Sequence, residues 1–195
     1  ANYDLSSIRS IGFGGAPTSP SLQEKLRKAF PSASRAQGMG YGLSESAGIG
    51  TVIGGEDLIE RPTSAGRAVP THEIQIRDSK DQAVPDGTDG EIHIRSAYRM
   101  LEYWRRPDAS AESLKADGWL ATGDIGRLED GWLYINSRAR DMILRGAENI
   151  YPVEIEHRLD SHPAVAESAV VGSDHPELGQ EVKAFVVAAP GQEID

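Results

Sequence analysis

Three short strings carry the side chains best suited to hold a ligand. In Gly38-Met39-Gly40-Tyr41-Gly42-Leu43-Ser44-Glu45, glycines let a backbone approach a ligand closely and expose its N–H groups. Tyr41 offers a flat face for a base. Ser44 and Glu45 set a hydroxyl beside a carboxylate, a pair that suits a phosphate with its Mg²⁺. Thr122-Gly123-Asp124 presents a carboxylate next to a glycine, where it can accept both hydroxyls of a ribose. The third string runs from Arg138-Ala139-Arg140-Asp141 through Arg145-Gly146-Ala147-Glu148 to Tyr151-Pro152-Val153-Glu154-Ile155-Glu156. Taken singly, each reads more simply as local structure: a tight turn with a packed tyrosine, an aspartate capping nearby N–H groups, a hairpin feeding a helix.

The elements around these strings follow from pattern. Ile8 to Phe13 is a short apolar run ending at Gly14-Gly15, a strand running into a turn. Ser19-Pro20 opens a helix with Leu22, Leu26 and Phe30 on one side, and Pro31 stops it. The 38–45 stretch reads as a second glycine turn, and 54–71 reads as loop. The period then changes to two: Ile74 and Ile76 alternate with polar residues, as do Ile92 and Ile94. Asp130-Gly131 is a hairpin signal between Ile125–Leu128 and Trp132–Ile135, so the middle third is antiparallel β. Pro152 starts a helix, and Val165 to Val171 and Val182 to Val187 read as strands.

Composition narrows the function classes. The 195 residues hold 20 Lys and Arg against 30 Asp and Glu, a net charge of −10, which argues against a general nucleic-acid or acidic-membrane binder. Cysteine is absent, excluding disulfides, cysteine nucleophiles and thiolate metal sites. The longest apolar run, Ala184 to Ala189, is far too short to span a bilayer. The five histidines show no metal-ligand spacing and read as surface or satisfied structural residues. Trp104-Arg105-Arg106-Pro107 reads as a loop anchored by a packed Trp104, and Glu154 and Glu156 as favourable charge at a helix N-terminus. Neither end reads like a natural terminus, so a fragment is expected.

The order of the strings is more telling than any one. Gly14-Gly15-Ala16-Pro17, then Tyr41-Gly42-Leu43-Ser44-Glu45, then Thr122-Gly123-Asp124, then Arg138 to Glu156 resembles the adenylate-forming superfamily: acyl-CoA synthetases, luciferase-type enzymes and peptide-synthetase adenylation domains. The Glu-Asn-Ile-Tyr-Pro-Val-Glu-Ile-Glu ending is similar to the acyl-CoA synthetase branch. The resemblance implies that Gly14, Gly15, Ala16 and Pro17 line the adenine and the acyl-carboxylate side of the pocket. It implies that Tyr41 stacks on adenine with Gly42 beside it, that Ser44 binds the α-phosphate, and that Glu45 holds Mg²⁺. Asp124 and Arg138 would take the ribose hydroxyls. Arg140 matches a hinge, and Gly146-Ala147 would border the CoA pantetheine channel. The substrates implied are a carboxylic acid, ATP and CoA in a cytoplasmic setting. A carrier protein as acceptor, a luciferase-like oxygenase and a non-catalytic nucleotide-binding regulator remain as alternatives.

The expected fold class is mixed α/β (α+β). The end of a large-domain sheet layer and an antiparallel β-barrel-like subdomain would fill residues 1–137. The hinge and the start of a small α+β domain would fill residues 138–195. No Ser/Thr/Gly-rich phosphate loop with a lysine occurs in the sequence, nor a Gly-Lys motif after Val187, so these residues alone are expected to make no acyl-adenylate. A truncated large domain would expose apolar surface, which makes a homo-oligomer possible.

Overall fold

The helix that starts at Pro20 shows how closely local sequence sets an element here. Ser19 accepts the Leu22 N–H at 3.3 Å as N-cap, Pro20 fills the first turn, and α1 (Pro20–Ala29) ends before Pro31. Its buried residue is Gln23 rather than Leu22, because the Gln23 amide donates to the Thr18 and Pro62 carbonyls at 3.1 and 2.7 Å. The structure is a computed structural model and describes residues 3–15 and 18–193.

Two sheets organise the chain. β1 (Ile11–Gly14), β2 (Gln37–Leu43), β3 (Gly48–Gly54), β4 (Ser64–Ala68), β5 (His72–Arg77), β6 (Gly90–Ser96), β7 (Leu120–Glu129) and β8 (Trp132–Arg138) form an eight-stranded sheet in the order β1-β2-β3-β4-β8-β7-β6-β5. β1 and β2 are parallel, and every other pair is antiparallel. The short helices α2 (Gly55–Glu60) and α3 (Pro107–Ser113) interrupt the strand sequence. A second sheet, order β10-β9-β12-β11, is built from β9 (Ile143–Arg145), β10 (Glu148–Ile150), β11 (Val165–His175) and β12 (Gly179–Ala188), with α4 (Pro152–Asp160) packed on β11.

The mixed α/β class expected from the sequence is the one observed, but no barrel closes. The large sheet curls until β5 approaches β3, with the His72 ring nitrogen 3.2 Å from the Ser46 carbonyl, yet β1 and β5 remain its two edges. Its core is the cluster of Ala65, Ile76, Ile92 and Leu133, joined by a second cluster of Ile53, Leu58 and Trp132.

Three expectations are corrected. The 38–45 glycine string is mostly strand, not turn. Gly38, Gly40 and Gly42 alternate with Met39, Tyr41 and Leu43 along β2, and strand-poor glycine hides the period-two pattern. Residues 54–71 hold α2 and β4 rather than a loop. Trp104 is 79% exposed rather than packed, with Arg105 stacked over its ring.

Candidate active site

Asp124 lies where two irregularities in the large sheet meet. Between the pairs Glu91↔Ile125 and His93↔Ala121, β6 has only Ile92 while β7 has Thr122, Gly123 and Asp124. That bulge lifts the three residues out of the ladder, a common way for a sheet to re-aim side chains. Gly123 takes a left-handed φ of 74°, which suits glycine. The Thr122 hydroxyl donates to the Ile92 carbonyl at 2.8 Å and accepts the Asp124 N–H at 3.1 Å. On the other side, β7 and β8 slip register by one residue at Asn136, so Asp124 pairs with Arg138 instead of Ser137. The buried Asn136 is held by Arg127 at 3.2 Å and by Asp89 at 2.9 Å. A one-residue slip turns every following side chain to the other face. The slip is therefore what sets Arg138 beside Asp124, with Nε 3.6 Å from the carboxylate.

Tyr41 completes the group from the far side of the sheet. Its hydroxyl donates to Asp124 Oδ2 at 2.7 Å, across 83 residues of sequence. Burial, reinforced by the Asp124 charge, pushes the phenol pKa far above its ordinary range, so it stays protonated and donating. Burial also raises the Asp124 carboxyl, while the Tyr41 hydroxyl and Arg138 pull it back down.

These three residues line a cleft of about 600 Å³ whose opposite wall comes from the second sheet and α4. That volume lies in the range of small-molecule sites. Gly15, Gly42 and Arg140 also face it. The turn after β8 leads to Arg140: the Asp141 and Met142 N–H groups both donate to the Arg138 carbonyl, at 3.0 and 3.1 Å. Among the described residues, the Arg140 N–H donates to no backbone carbonyl.

Other expected site residues lie apart from the cleft. Ala16 and Pro17 fall outside the described residues. Gly14 ends β1 short of the cleft wall. After Leu43 the chain turns away through a 3₁₀ turn, Ser44–Ser46, because the buried Ser46 hydroxyl is bonded to the Leu43 and Gly48 carbonyls at 3.0 and 3.1 Å. Ser44 is exposed there, and Glu45 Oε1 accepts the Tyr103 hydroxyl at 2.8 Å. Glu45 is a single carboxylate: among the described residues no group of three or more His, Asp or Glu is placed to hold a metal ion. One carboxylate supplemented by phosphate oxygens and water is nonetheless a usual Mg²⁺ arrangement, and it fits the Glu45 oxygen that Tyr103 leaves free. Gly146 and Ala147 form the exposed β9–β10 turn, outside the cleft. Gly146 has φ 62° and Ala147 does not share that conformation, as a two-residue turn with glycine first requires.

Glu156 was read from the sequence as helix-end charge. It instead accepts the Val170 N–H at 2.8 Å and ties α4 to β11 on the cleft wall. His157, also on that wall, has its pKa lowered by burial. Neither role has a local sequence signal, since both depend on a strand that follows the helix.

The chain resembles known proteins over nearly its whole length. The profile of AMP-binding enzymes matches residues 1–104, and that of the AMP-binding enzyme C-terminal domain matches residues 154–195. A fatty acid–[acyl-carrier-protein] ligase from Streptomyces coeruleorubidus is 39% identical over 97% of this chain and 37% of its own length. A long-chain-fatty-acid–CoA ligase from Mycobacterium tuberculosis is 38% identical over 96% of this chain and 36% of its own. The solved o-succinylbenzoate CoA synthetase of Bacillus subtilis, in complex with its acyl-adenylate intermediate, superposes with a TM-score of 0.83 at 35% identity, over 97% of this chain and 38% of that one. The chain thus spans a little over a third of the length of the curated relatives it matches. No described helix is long and apolar enough to cross a membrane. With its profile matches at both ends and a shared fold between them, the chain belongs to the AMP-binding enzyme family.

Proposed function

We propose that these residues supply the ribose-binding wall and the hinge of an ATP-dependent carboxylic acid:CoA ligase, with fatty acids the leading substrate class. The observation that carries the reading is the convergence of Tyr41, Asp124 and Arg138 on one cleft. The Asp124 oxygen not taken by Tyr41 would accept a ribose hydroxyl, Arg138 would donate to the sugar, and the Tyr41 ring would flank the base. Ser44 would contact the α-phosphate, and Glu45 would hold the Mg²⁺ that screens it. Gly14, Gly15, Ala16 and Pro17 would border the adenine and the acid.

In the first half-reaction, a carboxylate oxygen bonds to the α-phosphorus and the bridge to the β-phosphate breaks, releasing pyrophosphate. In the second, the CoA sulfur bonds to the acyl carbon and the acyl–phosphate bond breaks, releasing AMP. The chain contributes positioning and charge complementarity. Residues 138–195 would turn about Arg140 between the steps and bring Gly146-Ala147 to the pantetheine channel. Arg140 is exposed and its N–H supports no backbone bond among the described residues, which suits a pivot. A carrier protein in place of CoA is the second reading, favoured by the similarity to an acyl-carrier-protein ligase.

The test is a two-step assay of the intact protein, with acid-dependent ATP–pyrophosphate exchange for the first step and thioester release for the second. Release of free acyl-CoA separates the two acceptors. Arg140→Pro is expected to slow thioester formation at least about tenfold more than exchange, since proline fixes one backbone angle of the pivot and the N–H it removes donates to no backbone carbonyl among the described residues. Equal damage to both steps would argue against a hinge. The 195 residues alone are expected to catalyse no exchange above a blank.

A further inference from the structure

The bulge that aims Asp124 leaves a ladder group without a strand partner, and a side chain takes its place. Opposite Thr122, Gly123 and Asp124, β6 offers only Ile92, whose carbonyl is taken by the Thr122 hydroxyl at 2.8 Å. The Gly123 N–H is instead received by Glu91 Oε1 at 3.0 Å, from the neighbouring residue of the same strand. The Gly123 carbonyl accepts the Ala139 N–H at 2.8 Å, from the turn that follows Arg138. A residue in the left-handed region is thus clamped on both sides: Glu91 holds it to the large sheet, and Ala139 holds it to the segment leading to Arg140.

Glu91 is itself held. Its second oxygen, Oε2, lies 3.6 Å from Nε2 of His93, which is 1% exposed and whose Nδ1 has no partner among the described residues. The sequence reading of the histidines as surface or satisfied residues fails at His93. The His93 contact, with the Gly123 N–H, keeps the Glu91 carboxyl below its usual range although half-burial works against it. Glu91 therefore meets Gly123 as an ionised acceptor, and a hydrogen bond to a charged acceptor is stronger than a neutral one.

We propose that Glu91 is a positioning residue for the nucleotide: by receiving the Gly123 N–H, it fixes the β7 bulge and so the direction of the Asp124 carboxylate. This rests on the reading of Asp124 as the ribose acceptor.

The test uses the intact protein and two conservative variants. Glu91→Asp keeps the charge near His93 but withdraws the oxygen from Gly123 by one methylene. Glu91→Gln keeps the acceptor and loses the charge. The expected result is a KM for ATP raised about tenfold by Glu91→Asp and no more than about threefold by Glu91→Gln, with kcat and the KM for the acid little changed. Without nucleotide, the Gly123 amide should exchange with solvent about tenfold faster in Glu91→Asp and stay protected in Glu91→Gln. In an Asp124→Asn background, the effect of Glu91→Asp on the KM for ATP should vanish, since the two substitutions act on one contact. A larger defect in Glu91→Gln than in Glu91→Asp, an unchanged Gly123 exchange rate, or the same KM rise in both backgrounds would overturn the proposal. The reading of Asp124 fails separately, if Asp124→Asn alone leaves the KM for ATP unchanged; the amide exchange result does not depend on it.

Discussion

Replacing Asp124 with alanine in the intact protein is expected to lower kcat/KM for ATP by about 10²-fold, or ~2.7 kcal/mol of transition-state binding. The size follows from what the carboxylate holds. One oxygen receives the Tyr41 hydroxyl at 2.7 Å and the other faces Arg138 at 3.6 Å, so alanine removes the proposed ribose acceptor and leaves a mostly buried phenol without its partner. Asp124→Asn separates these effects, because an amide oxygen still accepts from Tyr41 while the charge facing Arg138 is gone. Its consequence for stability has the opposite sign. Burial raises the Asp124 pKa above its unfolded value of about 3.8, so the native state binds that proton more tightly than the unfolded chain does. The stability gained in this way is fully present below the unfolded pKa and is lost as pH rises through the raised native value. At neutral pH the ionised carboxylate is a cost to the empty site, and Asp124→Asn is expected to raise the melting temperature without nucleotide while impairing ATP use. Parallel melting curves and initial rates check both halves. An unchanged ATP dependence would sink the ribose assignment, and a lowered melting temperature would sink the electrostatic argument.

Gly42→Ala should be the most damaging single-methyl change in the site, and for a reason unrelated to ligand contact. A Cβ at position 42 would lie 1.8 Å from the Gly48 carbonyl oxygen and 2.9 Å from the Gly50 nitrogen, both backbone atoms of β3. The β2–β3 register shifts between Tyr41 and Gly42, and that close approach is how β3 crosses behind the shift. Backbone cannot step aside as a flexible side chain can, so a loss of about 3 kcal/mol is expected, read as a lower urea midpoint with an unchanged slope. Gly146→Ala is the control. Its Cβ would meet nothing within 4 Å, and only the φ of 62° opposes it, so about 1 kcal/mol is expected. If the two substitutions cost the same, the close packing of β2 on β3 is not what position 42 contributes.

Elements whose signals are local were legible in the order of residues. Ser19-Pro20 starts α1, Pro152 starts α4, the alternating isoleucines form β5 and β6, and Asp130-Gly131 with φ of 51° and 78° turns β7 into β8. That order also carried the family, because Tyr41, Asp124 and Arg138 stand in a characteristic order. It concealed β2, since glycines on alternate positions look like a turn when the only criterion is propensity, and it gave no sign of the 3₁₀ turn that bends the chain after Leu43. The assembly of the site was decided by tertiary structure alone. Arg138 faces Asp124 because Asn136 is slipped out of register and pinned by Arg127 and Asp89, and Asp124 leaves the ladder because β6 has one residue where β7 has three. Register is a property of two strands together, and no string of neighbouring residues encodes it, because the partner that completes each bulge lies tens of residues away.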